Sequence, residues 1–157
     1  MNKTFLVLCS LIFLSSSSIY AQELSKKEVS HIQAKIKKLD AMEQEAFKQG
    51  DCEKVISYFD KNITFYANGR KAPSLEFILN FCKQIPRPFG QTGMISDSIH
   101  VLSEKVAYTI RQIEFEPEKG ADRFKREVVS KIWYKTSKEW KITHFHSSVS
   151  TLPIRLR

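Results

Sequence analysis

His144 and His146, two residues apart near the end of the chain, are the side chains best placed to move a proton, with His100 on an earlier segment. Residues at i and i+2 of a strand share one face, so the pair points the same way. With His100 it could gather a metal ion, but no carboxylate or cysteine stands at a spacing that completes a ligand set. The expectation is no metal and no cofactor. An imidazole that enters a cavity would be the best general acid or base available. His100 or His146 acting with Tyr66 therefore defines the catalytic alternative, a cofactor-independent lyase or isomerase. A dehydratase needs a carboxylate beside the imidazole, and Asp40, Asp97 and Glu114 are available without a spacing that selects one. Arg111 and Lys131 suit a carboxylate anchor. Tyr66, Tyr108 and Trp133 read as core or pocket wall, and with His144 and His146 they complete the candidate lining of a ligand site. Ser147-Ser148 lacks the context of a nucleophile elbow. Five scattered glycines make no phosphate-cradling loop.

The elements that must position these groups begin with the C-terminal hairpin. Val128 to Tyr134 and Trp140 to Ser148 are β-branched and aromatic runs around the turn Ser137-Lys138-Glu139. Upstream, Met94 to Leu102 and Val106 to Phe115 form another strand pair around Ser103-Glu104-Lys105, and Pro117 to Asp122 is a polar loop. Ile63 to Ala67 is a short strand closed by Asn68-Gly69, after a turn at Asp60-Lys61-Asn62. Three helices come earlier. The first opens with the capping box Ser25-Lys26-Lys27-Glu28, carries Val29, Ile32, Ile36, Leu39, Ala46 and Phe47 at helical spacing, and stops at Gly50. Asp51 caps a second, Cys52 to Phe59. Pro73-Ser74 starts a third, Leu75 to Ile85, stopped by Pro86-Arg87-Pro88. The order α-α-β-α-β-β-β-β predicts an α+β domain whose helices pack on a curved, mainly antiparallel sheet. A cavity between that sheet and the first helix would suit a small molecule.

The 157 residues make one domain. Residues 1–21 read as a signal peptide: Lys3, an apolar run from Phe5 to Leu14, a serine run, and cleavage after Ala21. That run falls short of the roughly 20 residues a membrane span needs. The mature chain, 22–157, is expected to be secreted or periplasmic, with no membrane span. The formal charge of +8 becomes +7 when Lys3 leaves with the leader. The basic residues are dispersed rather than clustered with aromatics, which argues against nucleic acid and for a solvated basic surface. Two cysteines remain, and in an exported protein Cys52 and Cys82 are expected to form a disulfide.

Trp133, Trp140, His144, Phe145, His146 and Ser148 together resemble the nuclear transport factor 2-like (SnoaL-like) superfamily. Within it the chain is most similar to the association domain of calcium/calmodulin-dependent kinase II, which also has two tryptophans seven apart and histidines four and six residues after the second. Ile99-His100-Val101, Ser103-Glu104 and Ala107 resemble that domain's histidine-bearing strand and turn. The resemblance covers residues 24 to 150. It implies a cone-shaped fold, homodimers or larger assemblies formed through the exposed sheet face, and a polar pocket able to hold a small carboxylate. It implies no single reaction. The family's pocket arginines are replaced here by Lys131 and Ser147, while Arg111 lies two residues short of a third such position. The pocket is therefore less cationic than the family pattern. Where ketosteroid-isomerase-like members carry an aspartate base, this chain has Tyr66, a poor base at neutral pH. The reading is an exported small-molecule-binding domain, against a lyase or isomerase and against a structural oligomerisation module.

Overall fold

A computed structural model of the chain describes residues 24–87, 92–117, 120 and 122–153. The leader expected at 1–21 lies outside them. The elements are α1 (Lys26–Gln49), α2 (Cys52–Ser57), β1 (Phe59–Ala67), β2 (Arg70–Lys71), α3 (Leu75–Gln84), β3 (Thr92–Ser103), β4 (Val106–Phe115), β5 (Arg123–Lys135) and β6 (Trp140–Pro153). The fold is α+β: three helices on a six-stranded, curved and unclosed sheet in the order β2-β1-β6-β5-β4-β3. Only β1 and β6 run parallel; the other pairings are antiparallel.

The capping box forms. Ser25 N donates to Glu28 at 2.8 Å, and Glu28 N donates to the Ser25 hydroxyl at 3.3 Å. Bonds from the Ser25 side chain, then from its backbone, hold the Glu28 carboxyl below its ordinary pKa. At the other end of α1, Gly50 takes a left-handed conformation (φ 78°) and its N–H closes on Ala46 and Phe47. Arg87 then serves two helix ends at once. Its guanidinium donates to the Phe47 carbonyl at 3.1 Å, and to Cys82 and Ile85 carbonyls at 3.2 and 3.0 Å. The Phe47 and Cys82 carbonyls also accept from the Gly50 and Ile85 N–H groups at 3.1 and 3.3 Å, so Arg87 adds a second bond at each helix end. Cys52 and Cys82 meet across the α2–α3 contact, their Cα atoms 5.9 Å apart and their sulfurs 2.06 Å apart.

The core lies between α1 and the sheet. Ile36, Trp133, Ile142 and Ala107 are fully enclosed, with Val55, Phe59 and Ile78 around them. Phe65 stacks on Phe145 at 4.4 Å, and Phe59 packs 6.3 Å from each. That aromatic set fixes the parallel β1–β6 seam.

Two expectations needed correction. The second helix ends at Ser57 rather than Phe59, because the Ile142 N–H takes the Tyr58 carbonyl at 2.8 Å and Phe59 pairs with Ile142. Tertiary pairing overrides helical periodicity there. Asp60-Lys61-Asn62 is not a separate turn. It is an irregularity inside β1, where Asn62 N donates to Asp60 Oδ1 at 2.8 Å between the paired residues Phe59 and Thr64. The hairpin strands also run further than expected, to Arg123 and Pro153.

Candidate functional site

Strand registers sort the candidate residues onto two faces. One row across the sheet reads Ile99, Thr109, Lys131, Phe145, Phe65, and the next Asp97, Arg111, Val129, Ser147, Ala67. These face the helices. The intervening rows read His100, Tyr108, Ile132, His144, Thr64, and Ser98, Ile110, Ser130, His146, Tyr66. Side chains alternate across a pleated sheet, so these turn away from the helices. Of the sequence candidates, Arg111, Lys131 and Trp133 are therefore inside. Tyr66, Tyr108, His100, His144 and His146 are outside. The structure does not bring the two groups together.

A charge cluster occupies the interior. Helix α1 carries Asp40 and Glu43 on its buried side, each 5% exposed, facing Lys131 at 2%. Lys131 Nζ donates to Asp40 Oδ1 at 2.8 Å and also to Glu43 Oε2. Arg111 Nη1 approaches Asp40 Oδ2 at 3.9 Å, and the Gln44 amide donates to that same oxygen. Two carboxylates and two cations thus balance within one buried set. Such a set is stable only while complete, since the cost of desolvating each ion is offset by its partners. Two buried side-chain atoms, Arg111 Nε and Trp133 Nε1, have no hydrogen-bond partner among the described residues. Deeper along β6, the buried Ser147 hydroxyl donates to Glu127 at 2.5 Å. Asp40 had no spacing to select it in sequence, and Glu43 was missed. The signal was nonetheless present: with Ile36, Ala46 and Phe47, both acids continue the apolar stripe of α1 at three- and four-residue steps.

The outer face is mixed aromatic, aliphatic and imidazole. His100 stacks on Tyr108 at 4.6 Å, and the His144 ring lies 6.4 Å from Tyr66. Among the described residues no histidine hydrogen-bonds a carboxylate, and no three potential metal ligands gather. Asp97 pairs in register with Arg111 on the inner face, and Glu114 binds Arg126. Between and below the imidazoles, Ile110, Val128, Ile132 and Tyr134 are each more than a third exposed. These side chains lie among Thr64, Ser98 and Ser130, so the outer face carries exposed apolar groups interrupted by small polar ones.

Helices on one side of an open, curved sheet with a buried polar interior define the nuclear transport factor 2-like class. The family model for the calcium/calmodulin dependent protein kinase II association domain matches residues 32–151, and the chain belongs to that family. The association domain of Caenorhabditis elegans calcium/calmodulin dependent kinase II shares the fold at 20% identity (TM-score 0.63), over 78% of this chain and 98% of that one. A nuclear transport factor 2-like protein of unknown function from Shewanella oneidensis is also 20% identical (TM-score 0.58), over 74% and 98%. A ketosteroid isomerase-like protein from Erwinia carotovora atroseptica is 16% identical (TM-score 0.61), over 80% and 98%. No curated protein matches the sequence. Among the described residues no helix is long and apolar enough to cross a membrane.

Proposed function

We propose that this chain is an assembly module that joins copies of itself through the outer face of its sheet. The observation that carries this reading is the exposure of Ile110, Val128, Ile132 and Tyr134 on the face opposite the helices. Five strands at about 4.8 Å spacing, paired over about ten residues at about 3.3 Å, present on the order of 800 Å². A stable interface buries about 800 Å² per partner. The same patch meeting itself about a two-fold axis gives a closed homodimer. The association-domain family supports the same reading. Sedimentation velocity tests it. The mature chain should sediment as a dimer or larger, and Ile110→Lys/Ile132→Lys should sediment as a folded monomer. A wild-type monomer at high concentration would refute it.

An interior site for a small carboxylate is less well supported. A ligand there would have to displace Asp40 or Glu43 from Lys131, because both acids already hold that ammonium. Lyase or isomerase chemistry would need a histidine and a carboxylate to converge. The imidazoles instead lie on the face that the assembly reading covers.

We also propose export, with residues 1–21 removed and the Cys52–Cys82 contact oxidised to a disulfide. Edman sequencing of protein from the extracytoplasmic fraction should begin at Gln22. Two thiols should become alkylatable only after reduction. Free thiols in the native exported protein would refute the bond.

A further inference from the structure

A concavity outside the interior cluster and the sheet face is left unexplained by both readings. It lies where α1 and α2 meet the β5–β6 turn, with a volume of about 600 Å³. Its apolar lining comes from Ile32 and Leu39 of α1, Tyr58 after α2, and Trp140 at the start of β6. Four lysines surround that lining: Lys35 from α1, Lys54 from α2, Lys135 from the end of β5 and Lys138 from the hairpin turn. Among the described residues none of these four makes an ion pair. The one carboxylate in the lining, Glu139, is held by Lys141 at 2.9 Å. The groove therefore has an apolar floor and uncompensated positive charge at its mouth.

We propose that this groove binds an amphiphilic organic anion: an aliphatic or aromatic body lies on Leu39, Tyr58 and Trp140, and a carboxylate or sulfonate sits among the lysines. Three considerations select this ligand class. The volume falls within the roughly 300–1,000 Å³ of small-molecule pockets, which favours a compact ligand over an extended acidic peptide. Convergent like charges raise the local concentration of anions. The apolar floor favours a ligand with a hydrophobic body over inorganic phosphate, which would leave that surface wet. The site is independent of self-association, because its lining comes from the helical side and the hairpin tip.

The test uses the mature chain and the fluorescent probe 8-anilinonaphthalene-1-sulfonate, with N-phenyl-1-naphthylamine as its uncharged counterpart. The sulfonate should bind saturably at one site per chain, more weakly as salt rises, since exposed charges are screened. In nitrogen-15 correlation spectra the Trp140 indole resonance should move, while that of the enclosed Trp133 stays. Lys35→Gln/Lys138→Gln should weaken the sulfonate at least about tenfold, the loss of roughly 1.4 kcal/mol, and Lys26→Gln/Lys37→Gln should leave it unchanged. Equal affinity for the uncharged probe, a shift at Trp133 rather than Trp140, or no saturable binding by the folded chain would overturn the proposal. So would preferential displacement of the probe by an acidic peptide, which would reassign the groove to a protein partner.

Discussion

At the scale of single residues, the interior depends on Lys131. Removing one partner from a buried ion set leaves the others uncompensated, a loss of about 3–5 kcal/mol. Lys131→Met should therefore cost about that much in urea unfolding, because Asp40 and Glu43 would face each other without the ammonium. Lys131→Met/Glu43→Leu should recover most of the loss, since Asp40 keeps Arg111 and Gln44. A single variant of unchanged stability would show that the three groups do not act as a charged set. Arg111 and Lys131 came together in the sequence only through the family resemblance, since alternation within one strand does not fix the face of a residue on another. The sequence hid the outward turn of His144 and His146. Counting in twos from Trp140 and Ile142, which are both buried, puts His144 inside. The register instead jumps from Trp133↔Ile142 to Ile132↔His144, leaving Thr143 as an extra residue. That bulge reverses every later side chain, so Phe145 and Ser147 enter the core and the histidines leave it. A one-residue irregularity has no compositional signature, which is why the candidate site divided in two.

At the scale of elements, the caps were the most legible feature, because they use local residue chemistry. Ser25, Gly50, Asp51 and Ser74 all stand where the helices begin or end. Gly50 is the most constrained. A left-handed conformation costs a residue with a Cβ about 1–2 kcal/mol, and a Cβ there would lie 3.2 Å from the Arg87 side chain. Gly50→Ala should lower stability by at least about 1 kcal/mol in chemical denaturation. An unchanged midpoint would mean that neither the conformation nor the Arg87 contact matters. Arg87 was less legible, since its acceptors Phe47 and Cys82 are 40 and 5 residues away. Long-range capping leaves no local pattern. The boundary of α2 failed for the same reason: the residues that recruit Phe59 into a strand stand more than 80 positions later.

At the scale of the whole molecule, the fold class followed from the order of helical and alternating segments, and the family from the spacing of Trp133, Trp140, His144 and His146. What the sequence could not show was which sheet face meets the helices, and hence which candidates share a site. The two faces divide the work. The inner face closes on itself through charge neutrality, and the outer face leaves aliphatic side chains uncovered. The hairpin tip adds a basic, apolar-floored groove at the edge of the core.

The strand order carries a further consequence, for the timing of folding. Although last in the chain, β6 lies inside the sheet, between β5 and β1. The parallel pairing of β1 with β6 joins residues such as Phe65 and Phe145, about half the sequence apart. Pairings of such separation form slowly, because long loops must close before any contact rewards them. Until β6 has been made, β1 therefore has only the two-residue β2 to pair with among the described residues. A chain ended at Glu139 should be digested readily by protease and lack a cooperative melting transition, whereas the full mature chain should resist and melt in one step. A nascent chain held back from folding in this way stays threadable until β6 has been made.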